Sequence, residues 1–474
     1  MTGAETTSVS YAPPTSRWRD ELAATLHLAW PLVLMQLAQM SINLTEVVLV
    51  GHLGATELAG AGLGSQVFHA VFLFSLGLAI AVAPLVAQAR GAREYRTIRR
   101  SVRQGLWATT IIAVPGVAIL WCVRPILIAC GQDPVVAEQA EDFARPVSVG
   151  LAPWLWFFVL RNFMAAMGKP RPALYVMLAA IVLNAVLGYG LVFGKLGLPE
   201  WGVTGAGVAA AIVDLFLPLA LLLFIERDRQ LRRFAVLGRL WVPDWHLFRE
   251  IFRIGTPIGL ALLFETTLFL VALFLQGLIS TVAQAAHQVA VQPVAVAFMV
   301  PLGISQAATV RVGLAVGRGD PAGAAIAAKV SLWMGVACTL LTAAILLAIP
   351  ETLIGAFLDS DEPETPAVIA AGASFLAVAA LFQLADGGQV IAMGSLRGLK
   401  DTRVPMLIAA VGYWLVGVPL SLLLGFHWGL NGVGIWLGLA GGLVAAALML
   451  VVRLRGQLRQ LSGQPARSAA LGSA

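Results

Sequence analysis

Long apolar runs separated by short polar turns dominate the chain. They fall at residues 22–50, 57–89, 103–123, 136–167, 172–194, 203–225, 248–279, 285–317, 324–349, 366–396, 404–425 and 430–452. Each is long enough for a membrane helix, which needs ~20 apolar residues. None alternates with the period of two that marks a barrel strand. Glycine and proline interrupt many runs, as is common in transporter helices. The pattern predicts an all-α polytopic membrane protein with twelve transmembrane helices.

The basic residues give these helices a direction. Arg90, Arg93, Arg96, Arg99, Arg100 and Arg103 lie around the turn between runs two and three. Lys169 and Arg171 follow run four, and Arg227, Arg229, Arg232, Arg233 and Arg239 follow run six. Arg318 and Lys329, then Arg397, Lys400 and Arg403, then Arg453, Arg455 and Arg459 mark the ends of runs eight, ten and twelve. The alternate connections hold only Arg124, Arg145 and Lys195, beside acids such as Asp133, Glu138, Glu141 and Asp142. Basic loops stay in the cytoplasm. Both termini are therefore expected there, with an even helix count.

The sequence also repeats. Pro31 and Pro257 are 226 residues apart, as are Gln66 and Gln292, Leu76-Gly77 and Leu302-Gly303, Gly91 and Gly317, and Leu106-Trp107 and Leu332-Trp333. Trp201–Gly207 matches Trp428–Gly434 at an offset of 227. Two pseudo-symmetric six-helix lobes follow, parallel because six is even, and transporters of this kind bind near the repeat interface. The expected division is a disordered cytoplasmic tail at 1–16, an N-lobe at 17–226, a cytoplasmic linker at 227–246, a C-lobe at 247–455 and a second tail at 456–474.

Composition agrees and excludes other classes. Of 474 residues, 59% are hydrophobic and 12% charged, with mean hydropathy +0.85; soluble domains carry about 25% charged residues. The net charge of +6 reports loop topology, so no nucleic-acid partner is expected. No cleavable signal peptide is evident, and the first helix is expected to direct insertion. Cys122, Cys130 and Cys338 read as small packing residues rather than a disulfide or metal framework. No phosphate-binding G-x-x-x-x-G-K-[ST] loop and no H-E-x-x-H motif occurs. Neither ATP-driven work nor an enzyme is expected, and no cofactor. The acidic run Asp359–Glu364 lies in an outer loop and reads as solvated charge.

The chemistry then rests on carboxylates inside the runs. An ionisable group in lipid costs about 2.5–3.5 kcal/mol on insertion scales and marks a functional site by default. Gln36, Gln39, Asn43 and Glu46 are spaced 3, 4 and 3 apart, which puts them on one helical face. That face lines a wet cavity or supplies hydrogen-bonding glue between helices. Glu265 sits in run seven and Asp386 in run ten. Gln383, Asp386 and Gln389 share one face, and Gln284, Gln288 and Gln292 stack in run eight. Two acids with no intramembrane base must take up a proton or a cation; the bland reading for either is a structural carboxyl–amide bond. Asp214 has no polar stripe around it and is unassigned. His287 reads as a packing residue, and Arg161 as snorkelling toward the cytoplasm.

These residues resemble the multidrug and toxic compound extrusion (MATE) transporters, NorM-like branch. The similar segments are Glu46–Gly51, Leu160–Phe163 with Gly168–Pro172, Leu263–Phe269 with Ala285–Ala290, and Gln383–Asp386 with Gly394–Arg403. The resemblance spans nearly the whole chain. It implies a monomer of two lobes around a central cavity in a bacterial inner membrane. It also implies export of small cationic amphipathic drugs and metabolites in exchange for Na⁺ or H⁺. It places coupling acids at Glu265 and Asp386, with Na⁺ there as the one metal expected. A third acid falls at Glu46, usually an Asp in the family, with Asn184 beside it. Gly188 replaces a second polar residue. Phe382 stands where an aromatic hydroxyl is common, which removes a cation-coordinating oxygen and tilts coupling toward H⁺. A flippase for a lipid-linked saccharide or precursor, from the same wider superfamily, is the alternative. It would favour a cationic cavity. A membrane-embedded transferase would need an acidic metal motif at the membrane edge.

Overall fold

A computed structural model describes residues 14–238, 240–358 and 363–463. The N-terminal segment before Pro14, the end of the second tail, and Asp359, Asp361 and Glu362 of the acidic run lie outside the described residues. The first lobe holds α1 (Pro14–Gly51), α2 (Ala55–Gly91), α3 (Tyr95–Trp121), α4 (Val123–Ala129), α5 (Pro134–Ser148), α6 (Leu151–Ala166), α7 (Arg171–Phe193) and α8 (Gly202–Arg227). The second holds α9 (Trp245–Ile279), α10 (Thr281–Gly317), α11 (Pro321–Ala348), α12 (Pro350–Gly355), α13 (Thr365–Gly398), α14 (Arg403–Ala410), α15 (Val418–Leu422) and α16 (Asn431–Gly463).

Among the described residues, eleven helices are long and apolar enough to cross a membrane, and the bent α5–α6 pair makes a twelfth span. Run four is thus two helices meeting at 47° rather than one. Pro146 sits inside α5, and Pro153 has no N–H to continue the ladder. The Val149 and Gly150 amides instead donate to Pro146 and Val147, tightening the turn. Its counterpart α13 has no internal proline and runs unbroken. The segment 403–427 is also continuous, but Val411–Gly417 and Leu423–His427 are wound as π-helix around Pro419.

The repeat is written into the backbone. Arg93 and Gly319, 226 residues apart, both take left-handed conformations (φ 61° and 68°) after the second helix of each lobe. The lobes exchange partners: α1 packs on α10, and α9 packs on α2. With twelve crossings, Pro14 and Gly463 lie on one face, here called the terminal face.

Toward that face the lobes are in contact. A Cβ on Gly317 would lie 2.0 Å from the Gln88 carbonyl oxygen, and one on Gly77 would lie 2.3 Å from the Gly259 nitrogen. Only glycine allows backbones this close. Gln88 Nε2 donates to the Gly398 carbonyl at 2.9 Å, and Arg311 forms an ion pair with Glu21. Gly317→Leu is expected to wedge the lobes apart at this end. Spin-label distances across the lobes should shift to longer values.

Ion pairs tie down the loops. Lys169 Nζ donates to Asp228 Oδ2 at 2.6 Å, Lys400 Nζ to Glu250 at 2.9 Å and Arg453 Nε to Asp401 at 2.8 Å. The Lys169 ammonium, helped by the Leu231 and Gln230 amides, holds the Asp228 carboxyl below its ordinary value. On the opposite face Arg124 and Arg145 are matched by Glu138 and Glu141.

Candidate functional site

The polar stripe of α1 divides between two tasks. Gln36 turns to Arg161. Gln39, Asn43 and Glu46 line a small cavity of ≈ 30 Å³ inside the first lobe, closed by Ser65, His69, Phe68, Trp154 and Asp214. Such a space holds about two waters. Asn184 Nδ2 donates to Glu46 Oε1 at 3.1 Å. Gly188 leaves space that Leu49 fills, since a Cβ there would meet Leu49 Cδ1 at 2.5 Å. Asn43, Glu46, Ser65 and His69 also border a larger groove of ≈ 430 Å³, to which the second lobe contributes Gln292. Gln288 lies exposed one turn further along α10.

Arg161 corrects the snorkelling expectation. Its side chain is buried (1% exposed). Nη1 donates to Gln36 Oε1 at 3.1 Å and Nη2 to Gln306 Oε1 at 3.2 Å. The guanidinium carbon lies 4.3 Å from the centre of the Phe158 ring. Buried there, its hydrogen bonds satisfy the charge better than a reach to water would.

In the second lobe, Asp386, Gln383 and Gln389 are buried on α13. Gln389 Nε2 donates to Asp386 Oδ1 at 3.1 Å, and the Tyr413 hydroxyl donates to Gln389 Oε1 at 3.0 Å. Glu265, half-buried on α9, lies within electrostatic reach of Asp386, Tyr413 and Arg397. Arg397, in the last turn of α13, is itself buried. No carboxylate–base pair within 4.0 Å involves Glu265 or Asp386 among the described residues. Gln383 has neither amide atom partnered. Phe382 stacks on Trp436 at 6.0 Å, and His287 meets the same indole edge-on at 5.4 Å. His287 packs on this indole, with its buried Nδ1 unpartnered.

The MatE family model matches residues 31–190 and 257–423. The chain belongs to the MatE family. The two matched segments begin at Pro31 and Pro257, the prolines that open the internal repeat. A curated relative from Brucella suis biovar 1, "Probable multidrug resistance protein NorM", is 42% identical over 449 residues, 94% of this chain and 95% of the relative. One from Bradyrhizobium diazoefficiens with the same name is 44% identical over 451 residues, 95% of this chain and 96% of the relative. Among solved structures, the eukaryotic MATE transporter AtDTX14 superposes with TM-score 0.83 at 21% identity, covering 94% of this chain and 99% of that one. A "multidrug resistance MATE family transporter of the MOP superfamily" in an outward-facing conformation gives 0.85 at 19%, covering 96% and 100%. The all-α, two-lobe transporter fold is thereby shown, and this MatE chain belongs among transporters rather than enzymes.

Two site residues escape a reading of single helices. Tyr413, on α14's π-helical continuation, brings its hydroxyl to Gln389, which in turn donates to Asp386. A π-turn displaces side chains from the 3.6 register and recurs at functional sites. Tyr413→Phe is expected to weaken coupling-ion affinity about 10-fold, the worth of one hydrogen bond, with transport retained at saturating ion. A titration of transport rate against ion concentration checks this. The second residue, Asp214, faces the Glu46 cavity across the lobe.

Proposed function

We propose that this MatE protein is a secondary active multidrug efflux antiporter, exporting small cationic amphipathic compounds in exchange for Na⁺ or H⁺. The observation that carries the reading is the buried Asp386 with Glu265 within electrostatic reach, held by amide and hydroxyl dipoles instead of a direct salt bridge. The names of the curated relatives point the same way. A carboxylate pair in a low-dielectric lobe gains from a bound positive charge, so ion and cationic substrate compete for the same negative potential. An inward ion discharges the acids and releases the substrate outside. Loss of the ion to the cytoplasm restores affinity. Exchange of two monovalent ions for one monovalent drug cation moves one net charge inward, for which the membrane potential supplies ~2.3 kcal/mol per 100 mV.

The terminal face is the cytoplasmic face, with basic loops inside, so contact of the lobes there corresponds to an outward-facing state. The division at 17–226 and 247–455, joined by the 227–246 linker, supplies the two rocking bodies. The protein works as a monomer in the bacterial inner membrane, each lobe contributing its own acids. Glu265 and Asp386 bind the coupling ion, with Glu46 as a third acid. Gln36, Gln39, Asn43, Asn184, Gln288, Gln292, Gln383 and Gln389 furnish the polar lining.

Purified protein in liposomes, given a pH gradient or a Na⁺ gradient alone, is expected to move ethidium against its own gradient. Failure with both gradients would sink the antiporter reading.

A further inference from the structure

The inter-lobe linker folds back on the first lobe and builds a basic cleft that the transport cycle does not use. Trp107 Nε1 on α3 donates to the Leu240 carbonyl at 2.7 Å. One turn of 3₁₀ helix, Arg232–Phe234, comes just before it. Phe234 is buried there, with its ring centre 6.1 Å from that of Tyr95 and 5.7 Å from that of Phe163. The wedged ring fixes the place of its neighbour Arg233. Arg96 and Arg99 are spaced i, i+3 and share one face at the start of α3. The three arginines line one open cleft of ≈ 630 Å³ on the terminal face.

The acids of the surrounding turns are engaged elsewhere. Asp228 is held by Lys169 at 2.6 Å and Asp244 by Arg100 at 3.6 Å, while Glu94 accepts from Thr97 at 2.9 Å. Among the described residues, Arg96, Arg99 and Arg233 form no ion pair and no side-chain hydrogen bond. The Nε of Arg99 is sealed from solvent without a partner. An unpaired buried donor is costly, and three like charges around one cleft repel each other. An anion with several acceptor oxygens relieves both. Guanidinium forks meet phosphate oxygens two at a time, and Gln230 adds an amide to the lining. Ligand pockets run from about 300 to 1,000 Å³, so this one also has room for the group that carries the phosphate, against Met167 and Phe234. Tyr95, Trp241 and Trp245 are exposed at this end of the protein. Such rings sit at the level of lipid headgroups, which brings those headgroups within reach of the cleft.

We propose that Arg96, Arg99 and Arg233 form a binding site for a phosphate group, presented by an anionic phospholipid headgroup or as free phosphate. Bound there, the anion bridges α3 and the linker that joins the two lobes. The site is separate from the membrane carboxylates, and it stands whether or not the protein is an antiporter.

The test uses two neighbouring arginines of equal charge. Delipidated full-length protein in detergent is titrated with phosphatidylglycerol or, separately, phosphatidylcholine, and bound lipid is read by native mass spectrometry. Wild type should prefer phosphatidylglycerol. Arg99→Gln and Arg233→Gln should each weaken that binding about 10-fold, the worth of one hydrogen bond to a charged group. Arg232→Gln removes the same charge one residue away, where the side chain lines a different cleft beside Glu226, and should bind as wild type does. Arg99→Gln could fail to fold, so the exposed Arg233 decides. In a second arm, millimolar inorganic phosphate is added to lipid-free protein and the melting temperature is followed. If phosphatidylglycerol separates Arg233→Gln from Arg232→Gln, the headgroup is the source. If only inorganic phosphate separates them, raising the melting temperature of Arg232→Gln but not of Arg233→Gln, the source is free phosphate. Equal behaviour of the two variants with both probes would overturn the site.

Discussion

Glu265→Gln and Asp386→Asn are each expected to reduce gradient-driven drug uptake in liposomes to the level of protein-free vesicles. Both substitutions keep side-chain shape and replace an anionic oxygen by an amide. Gln389 now donates to Asp386 Oδ1 at 3.1 Å, and the carbonyl introduced by Asp386→Asn would accept the same bond. Packing is therefore preserved while the charge is lost. With one acid gone, the remaining carboxylate attracts a cation less strongly than the pair does, and the ion gradient loses its purchase on the cycle. Passive exchange of drug down its own gradient should persist, because the groove and its Gln292 lining remain. The double variant should be no worse than either single one, since residues acting as a unit are not additive. Coupled uptake at wild-type rates in both single variants would refute their assignment as the coupling pair.

The sequence carried the fold because lipid imposes strong, local rules. Every span from Pro14–Gly51 to Asn431–Gly463 coincides with an apolar run, since an uninterrupted hydrogen-bonded helix is the cheap way to cross hydrocarbon. The repeat anchored at Pro31 and Pro257 survived in glycines and prolines, which answer to backbone geometry shared by both lobes. The bend at Gly150 was missed because Pro146 and Pro153 are tolerated in many membrane helices, and nothing local separates a kink from a break. The stripe of α1 was legible for the opposite reason: four polar residues on one helix share a face. Asp214 has its polar company on α1 and α2. Tyr413 reaches Gln389 from a helix whose π-winding no 3.6-residue template anticipates. Arg161 found its partners on α1 and α10, one in each lobe. Residues whose partners come from other helices are visible only after the helices are packed.

That last arrangement yields the second large effect. Arg161→Met is expected to shift the protein away from the state in which the lobes meet at the terminal face. The Arg161 bond to Gln306 crosses from α6 of the first lobe to α10 of the second, whereas its bond to Gln36 stays within the first. Hydrogen bonds to a charged group are worth about 1.5–3 kcal/mol, so losing the cross-lobe bond should move the equilibrium about 10- to 150-fold. Spin labels at Arg96 and Arg455, both exposed, in a cysteine-free background, would report it as a longer distance between the lobes. Arg161→Met also strips Gln36 and the Phe158 ring of their partner, which lowers stability. Gln306→Ala separates the two effects, because it removes the cross-lobe bond and leaves Arg161 on Gln36 and Phe158. If the bond is the latch, both variants lengthen the distance, but only Arg161→Met lowers the melting temperature substantially. Unchanged distances in Gln306→Ala would mean that the glycine contacts at Gly77 and Gly317, rather than Arg161, hold the terminal face closed.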